Sequence, residues 1–343
     1  MDSEKVAKCL FCGKEATLIN DKLPGYQEPD LFNIYHCPNC NTDFSFPRIE
    51  ITTIYDHIYK NTKNVPGYDR YWRFMKLIKK SKNPLNSLSK VEDTYWGVKE
   101  ALLKVVNNKD STKILEVGTG LGYLTYSLRC AGYNIVGMDI SNTAVQQAKK
   151  TFGDNYFCAD LFELAHLQAE SFDVVILTEV IEHVNRPMDF IESIKQLLKP
   201  GGYAIITTPN KSLFPSDIIW ATDLPPVHCW WFSEESLIFA AKVKELKIDF
   251  INFREFYKKH PLTIDLQKIR SKESQKPTLS QNGEIVEGIS KKKDNKYFTI
   301  RSYIYNIPLF KKVYNNLLKI TKNDTLSCND RGYILCAIMQ KNR

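Results

Sequence analysis

The chain has 343 residues, with 47 Lys/Arg against 39 Asp/Glu, 43% hydrophobic and 12% aromatic side chains, and nine cysteines. That apolar content supports a real core and excludes a wholly disordered chain, and fifteen glycines and fifteen prolines exclude a collagen-like or low-complexity one. The net charge of +8 is uneven: residues 258–343 hold 18 basic and 7 acidic side chains, a local +11, and the remainder is −3. A basic quarter fits an anionic partner or, more simply, a solvated lysine-rich surface.

The first residues, Met1–Lys8, lack the apolar stretch of a secretory signal. The longest apolar runs, such as Asp173-Val-Val-Ile-Leu177, fall far short of the roughly 18 residues that a membrane span needs. The expected location is the cytoplasm. Cys9-Leu-Phe-Cys12 and Cys37-Pro-Asn-Cys40 are two C-x-x-C pairs separated by 24 residues. Each short loop sets two thiolates on one side of a turn, and two such turns complete a tetrahedron around zinc. Four thiolates leave no open position, so Cys9, Cys12, Cys37 and Cys40 predict a structural zinc; a redox C-x-x-C is the weaker reading. Its loss is expected to loosen the first ~45 residues and spare a sheet that has its own core. His36, beside a cysteine, is expected on the surface.

Residues 50–106 read as a helical, aromatic-rich cap interrupted by Pro84 and turned at Pro66-Gly67. From 113 the text becomes strand–helix alternation. Strands are predicted at 113–117, 134–139, 155–159, 172–178, 203–208, 248–256 and 332–339. Helices are predicted at 123–131, from Ser141 to about 150, at 187–198 and at 234–244, with Lys199-Pro-Gly-Gly202 as a turn. Alternation of this kind argues for a parallel sheet covered on both faces. Residues 257–300 read as a polar loop, and 302–320 regain a helical pattern.

Between the first strand and its helix lies Glu116-Val-Gly118-Thr-Gly120-Leu-Gly122. Glycines there let the backbone turn tightly and approach a ligand, and the helix N-terminus offers free N–H groups. Asp139 ends the next strand, about 20 residues on, where it can hold two ribose hydroxyls. After the fourth strand comes Thr178-Glu179-Val-Ile-Glu182-His183, whose i, i+3, i+4 spacing puts Glu179, Glu182 and His183 on one helical face. His228, in Pro226-Val-His228-Cys-Trp-Trp231, comes after the fifth strand and is expected at the same sheet edge. For Tyr95-Trp96, core packing is favoured over covering a ligand.

The Glu-x-Gly-x-Gly-x-Gly turn with its downstream acid resembles motif I of class I S-adenosylmethionine methyltransferases. Asp160, at the third strand's end, resembles that family's adenine-contacting acid, and Phe172–Thr178 and Leu198-Lys-Pro-Gly-Gly202 match its fourth strand and late turn. The resemblance implies a Rossmann-like α/β fold with a seven-stranded sheet, and S-adenosylmethionine held by Glu116, Gly118, Gly120, Gly122, Asp139, Ile140, Asp160 and Leu161. The cysteine unit resembles zinc ribbons fused ahead of bacterial methyltransferases. The domains implied are a zinc ribbon (1–49), a helical cap (50–106), a core (107–256 and 325–343) and a basic insertion (257–324).

Glu179, Glu182, His183 and His228 are the expected catalytic set. Their pattern resembles both small-RNA 2′-O-methyltransferases, which use such residues to hold a divalent metal, and ubiquinone-pathway O-methyltransferases. A histidine acting as general base and a Mg²⁺ or Mn²⁺ site both stay open. The expected reaction is O-methylation of a small molecule or glycan. The alternatives are an RNA acceptor, for which the ribbon and basic tail speak and the acidic remainder does not, and sugar C-methylation.

Overall fold

The computed structural model describes residues 6–49, 52–65, 67–215, 218, 224–267, 276–286 and 325–343. The predicted helix at 302–320 and most of the basic insertion lie outside these residues. Among the described residues no helix is long and apolar enough to cross a membrane.

The main sheet begins at its centre. Strand β5 (Ile114–Val117), all buried, is followed by helix α5 (Tyr123–Cys130), then β6 (Ile135–Asp139), α6 (Asn142–Phe152) and β7 (Tyr156–Cys158), which step outward in parallel. The chain then returns to the other side of β5 with β8 (Phe172–Thr178), α8 (Pro187–Leu197) and β9 (Leu198–Pro209). After α9 (Glu234–Val243), the sheet closes with β11 (Leu246–Phe250) and β14 (Ile334–Lys341), in the order β11-β14-β9-β8-β5-β6-β7. Strand β14 is antiparallel to both of its neighbours. The reversal of direction between β6 and β8 opens a crevice at the carboxyl ends of the strands, the position where open α/β sheets bind ligands.

The seven-stranded α/β architecture agrees with the sequence reading, and three local readings change. The 248–256 strand stops at Phe250, and α10 (Arg254–Lys259) comes next. Just before its start the Asn252 side chain closes a turn by accepting from Arg254 N at 2.8 Å, and Phe253, Phe256 and Tyr257, buried residues at helical spacing, meet Trp96 and Cys328 rather than a strand neighbour. Pro84 begins a helix instead of interrupting one: α3 (Pro84–Val91) has proline at its first turn and Asn83 as its cap. Residues 199–202 continue β9. The insertion also opens with structure, because β12 (Thr263–Asp265) pairs with β13 (Thr325–Ser327).

The cap is four helices: α1 (Thr52–Asn61), α2 (Asp69–Lys79), α3 and α4 (Asp93–Val105). Trp96 packs on Phe253 and Phe256, so it belongs to the core, as favoured. Tyr95 is buried too, with its hydroxyl bonded to that of Tyr123, and its ring reaches the crevice.

The N-terminal unit is a sheet of β1 (Val6–Lys8), β2 (Glu15–Pro24), β3 (Leu31–Cys37) and β4 (Thr42–Phe46). A fifth strand comes from far downstream: β10 (Trp230–Trp231) pairs antiparallel with β4, Trp230 opposite Phe44 and Trp231 opposite Asp43. Phe11, Tyr35 and Phe44 share one buried cluster with Trp230, Phe232, Phe190 and Leu237 of the larger body. The N-terminal unit and the larger body thus share a buried cluster and a two-residue strand supplied from downstream. Trp230 is 1% exposed and donates its indole N–H to Val184 O at 2.7 Å. Trp230→Ala should cost about 3–5 kcal/mol in a denaturant titration, whereas Leu103→Ala, at an exposed position, should stay within about 0.5 kcal/mol.

Candidate active site

The crevice is a cavity of about 810 Å³, within the range of small-molecule sites. Its floor is the glycine turn. Gly118, Gly120 and Gly122 all have positive φ (75°, 51° and 78°). A Cβ on Gly118 would stand 2.5 Å from Val180 Cγ2, and one on Gly122 would stand 2.7 Å from Ala148 and Tyr156, so both the backbone conformation and the space require glycine. Asp139, buried at the end of β6, accepts from Gly120 N at 2.8 Å through one oxygen and from Ser141 N at 2.9 Å through the other. These donors hold the carboxylate at the cavity wall, and burial still raises its pKa. Ile140, 74% exposed, and Leu161 line the same end. Asp160 lines it as well, but one of its oxygens is taken as the N-cap of α7 (Leu161–Leu167), accepting from Phe162 N and Glu163 N at 2.8 and 3.1 Å.

Glu116 sits under the turn, 2% exposed, and accepts from the Thr119 and Thr125 hydroxyls. Burial pushes its pKa up to about 7 despite those two donors. Its acid form thus suits the folded site as well as its carboxylate does, which makes it a brace of the turn before anything else.

The acceptor side is built from β8 and the turn after it. Glu179 has φ +54°, which ends the strand and breaks helical phase before the short 3₁₀ turn Ile181–His183. The expected i, i+3, i+4 face is therefore corrected: Glu179 turns away from the other three. Its carboxylate receives Thr94 Oγ1 at 2.6 Å and Arg70 Nη2 at 3.0 Å, from α4 and α2. Arg70 and Thr94 carried no local signal in the sequence, because their partner lies 109 and 85 residues away.

Glu182, His183 and His228 do come together. The two imidazoles have centroids 4.6 Å apart, and Glu182 Oε1 lies 3.8 Å from His183 Nε2. Glu182 is fully buried and accepts from Thr208 Oγ1 at 2.9 Å. His183 Nδ1 is 2.7 Å from Val227 O; a carbonyl only accepts, so Nδ1 carries the hydrogen and Nε2 is the basic nitrogen. Burial, with the Arg70 charge adding to it, pushes the His228 pKa down to about 3. Tyr55 and Tyr59 of α1 complete the wall: Tyr55 meets His183 edge-on at 5.9 Å, and Tyr59 covers Gly120.

The four cysteine sulfurs lie within 4.8 Å of one another, with Cys9–Cys40 at 3.7 Å and Cys12–Cys37 at 3.4 Å. A tetrahedron with Zn–S near ~2.3 Å has edges near ~3.8 Å, so the residues fit zinc. His36 stands outside the four-cysteine group, partly exposed, with its Nδ1 2.6 Å from Asp43 Oδ1.

Comparison with known proteins adds to this geometry. Residues 94–249 match a family described as "Methyltransferase domain". That segment, a little under half of the chain, is similar to a methyltransferase domain. It is 37% identical over 143 residues to the mitochondrial ubiquinone biosynthesis O-methyltransferase of Rattus norvegicus, covering 38% of this chain and 41% of that one. It is 33% identical over 110 residues to the ubiquinone biosynthesis O-methyltransferase of Actinobacillus pleuropneumoniae, covering 29% and 47%. The match thus spans less than half the length of each of these two relatives. A solved S-adenosylmethionine-dependent methyltransferase from Archaeoglobus fulgidus aligns over 71% of this chain and 93% of its own, at 16% identity and a TM-score of 0.40.

Two measurements test the glycine-turn end of the crevice. Asp139→Ala should weaken S-adenosylmethionine binding by roughly 1.5–3 kcal/mol, read by calorimetry. For Glu116 the folded state holds its proton more tightly than the unfolded one, so its contribution is fully present below about pH 4.5 and is lost as pH rises toward 7. Glu116→Gln should therefore flatten stability across that window, by a few kcal/mol at most; wild type and variant with parallel pH curves would show that Glu116 is not raised.

Proposed function

We propose that this chain transfers a methyl group from S-adenosylmethionine to a phenolic hydroxyl of a neutral small molecule, with His183 as general base. The carrying observation is the Val227 carbonyl on His183 Nδ1, which leaves Nε2 basic at the cavity wall beside the Glu182 carboxylate. Bound S-adenosylmethionine supplies an electrophilic methyl on a sulfonium. Gly118, Gly120 and Gly122 would carry its methionine end, Asp139 its ribose hydroxyls, and Ile140, Asp160 and Leu161 its adenine. His183 Nε2 would take the proton of an acceptor hydroxyl held at the cavity wall. Glu182 offsets the charge that forms on the imidazole, and His228, held neutral by burial, shapes the wall without titrating near pH 7.

Two further features support the substrate class. Tyr55, Tyr59, Tyr68, Tyr71, Tyr95 and Tyr123 line the cavity, a surface suited to a flat ring. Among its described lining residues Arg186 is the single Lys or Arg, against Glu116, Asp139, Asp160 and Glu179. A site for RNA would carry a cationic track. The names of the relatives point to a quinone precursor, which favours a phenol over a glycan.

A second reading has its own observation: ligand atoms of Glu182, His183 and His228 lie within 4.8 Å of one another. A carboxylate with two neutral imidazoles suits Mn²⁺ better than Mg²⁺, and such an ion would lower the pKa of the acceptor hydroxyl. Methyl-transfer assays with catechols separate the two. With a base, chelators leave turnover intact and His183→Ala loses roughly 10²–10⁴-fold in rate. Chelation that abolishes turnover, with recovery on adding Mn²⁺ or Mg²⁺, selects the metal instead.

A further inference from the structure

The segment that carries His228 is laced alternately to the cysteine ribbon and to the turn bearing His183. On the ribbon side, Ser45 N donates to Cys229 O at 3.0 Å, and Trp230 and Trp231 pair with Phe44 and Asp43. On the other side, Cys229 N donates to Glu182 O at 2.9 Å, Val227 O accepts from His183 Nδ1 at 2.7 Å, and Trp230 Nε1 donates to Val184 O. Both neighbours of His228 in the chain are thus fixed, one of them by the ribbon.

One buried ion pair locks this arrangement. Asp43, 1% exposed, stands on β4 three residues past Cys40, with Lys211 Nζ 3.3 Å from its Oδ2. Lys211 Nζ also donates to Pro215 O and to Ile218 O, and Lys211 N donates to Phe232 O at 2.9 Å. The lysine therefore holds the start of the connection that returns as Leu224–His228, and fastens it to the ribbon. The other oxygen of the same carboxylate meets His36 Nδ1 at 2.6 Å, so Asp43 is held from two sides, and losing Lys211 would leave Oδ2 buried without its cation.

We propose that Asp43 and Lys211 are positioning residues for the acceptor wall, and that the metal-locked ribbon is the external frame that sets His183 and His228. The proposal rests on the methyltransferase reading for its consequence in catalysis, but its geometric content does not. Opening the cysteine site would release β4, then Cys229, then the imidazole pair, and would leave the Gly118–Asp139 end of the crevice alone.

The test compares the full-length wild type with Cys37→Ser and, independently of metal, Lys211→Met. Three quantities are read: hydrogen exchange by mass spectrometry over 224–232 and 181–185, histidine side-chain NMR, and S-adenosylmethionine affinity by calorimetry. Exchange over those two segments should rise at least tenfold in both variants and the His183 and His228 signals should shift. Exchange over 114–117 and 135–139 should stay unchanged and cofactor affinity should stay within about twofold. With a catechol acceptor, kcat should fall while the cofactor KM holds. Unchanged exchange and histidine signals in both variants would overturn the proposal, and so would a loss of protection spread evenly over the chain, which would make the pair a general stabiliser. Absent S-adenosylmethionine binding in the wild type would instead sink the methyltransferase reading and leave the exchange result standing.

Discussion

The backbone path at the end of β5 is the constraint on which the site depends. Met138 O accepts from both Gly118 N and Thr119 N at 2.9 Å, which ties the turn after β5 to the neighbouring strand before the chain enters α5. That tie is possible only with positive φ at Gly118 and Gly122. It leaves Gly120 N free to meet Asp139, and it sets Thr119 and Thr125 over the buried Glu116. A different residue at any of the three glycines, or a polar group at 116 without its two hydroxyl donors, would disturb all of these contacts together.

Much of this was legible in the sequence for a physical reason: it is local. A glycine turn between a strand and a helix, an acid at the next strand's end, and paired cysteines two residues apart are patterns in which the spacing is the geometry. The strand readings held where burial on both faces gives continuous apolar runs, as at Ile114–Val117 and Phe172–Thr178. The misread stretch, 248–256, contains an apolar run whose second half has helical spacing, and its aromatics at Phe253, Phe256 and Tyr257 are buried against the core in that spacing. The face at Glu179 failed because a single residue in the left-handed region removes the periodicity on which the argument depended.

What was not legible is what the chain brings together from afar. Nothing in the local text of Trp230-Trp231 marks it as the last strand of a sheet that begins at Val6, and nothing at Asp43 announces a lysine 168 positions downstream. Both are tertiary choices made by burial: two indoles with less than 2% exposure find the one surface that covers them, and a buried carboxylate takes the buried cation within reach. The Arg70–Glu179–Thr94 contacts belong to the same class, and they tie the aromatic-rich cap to a carboxylate of the crevice wall.

The close approach of Gly118 to Val180 has a further consequence. The two loops on either side of the crevice, one after β5 and one after β8, are in van der Waals contact where a methyl group would not fit. The two loops therefore meet at one close contact, between Gly118 and Val180. Val180 is followed at once by the 3₁₀ turn that holds Glu182 and His183, so a side chain at 118 would press on the residue that leads into that turn. Glycine at 118 is thus required from across the crevice as well as by its own left-handed backbone.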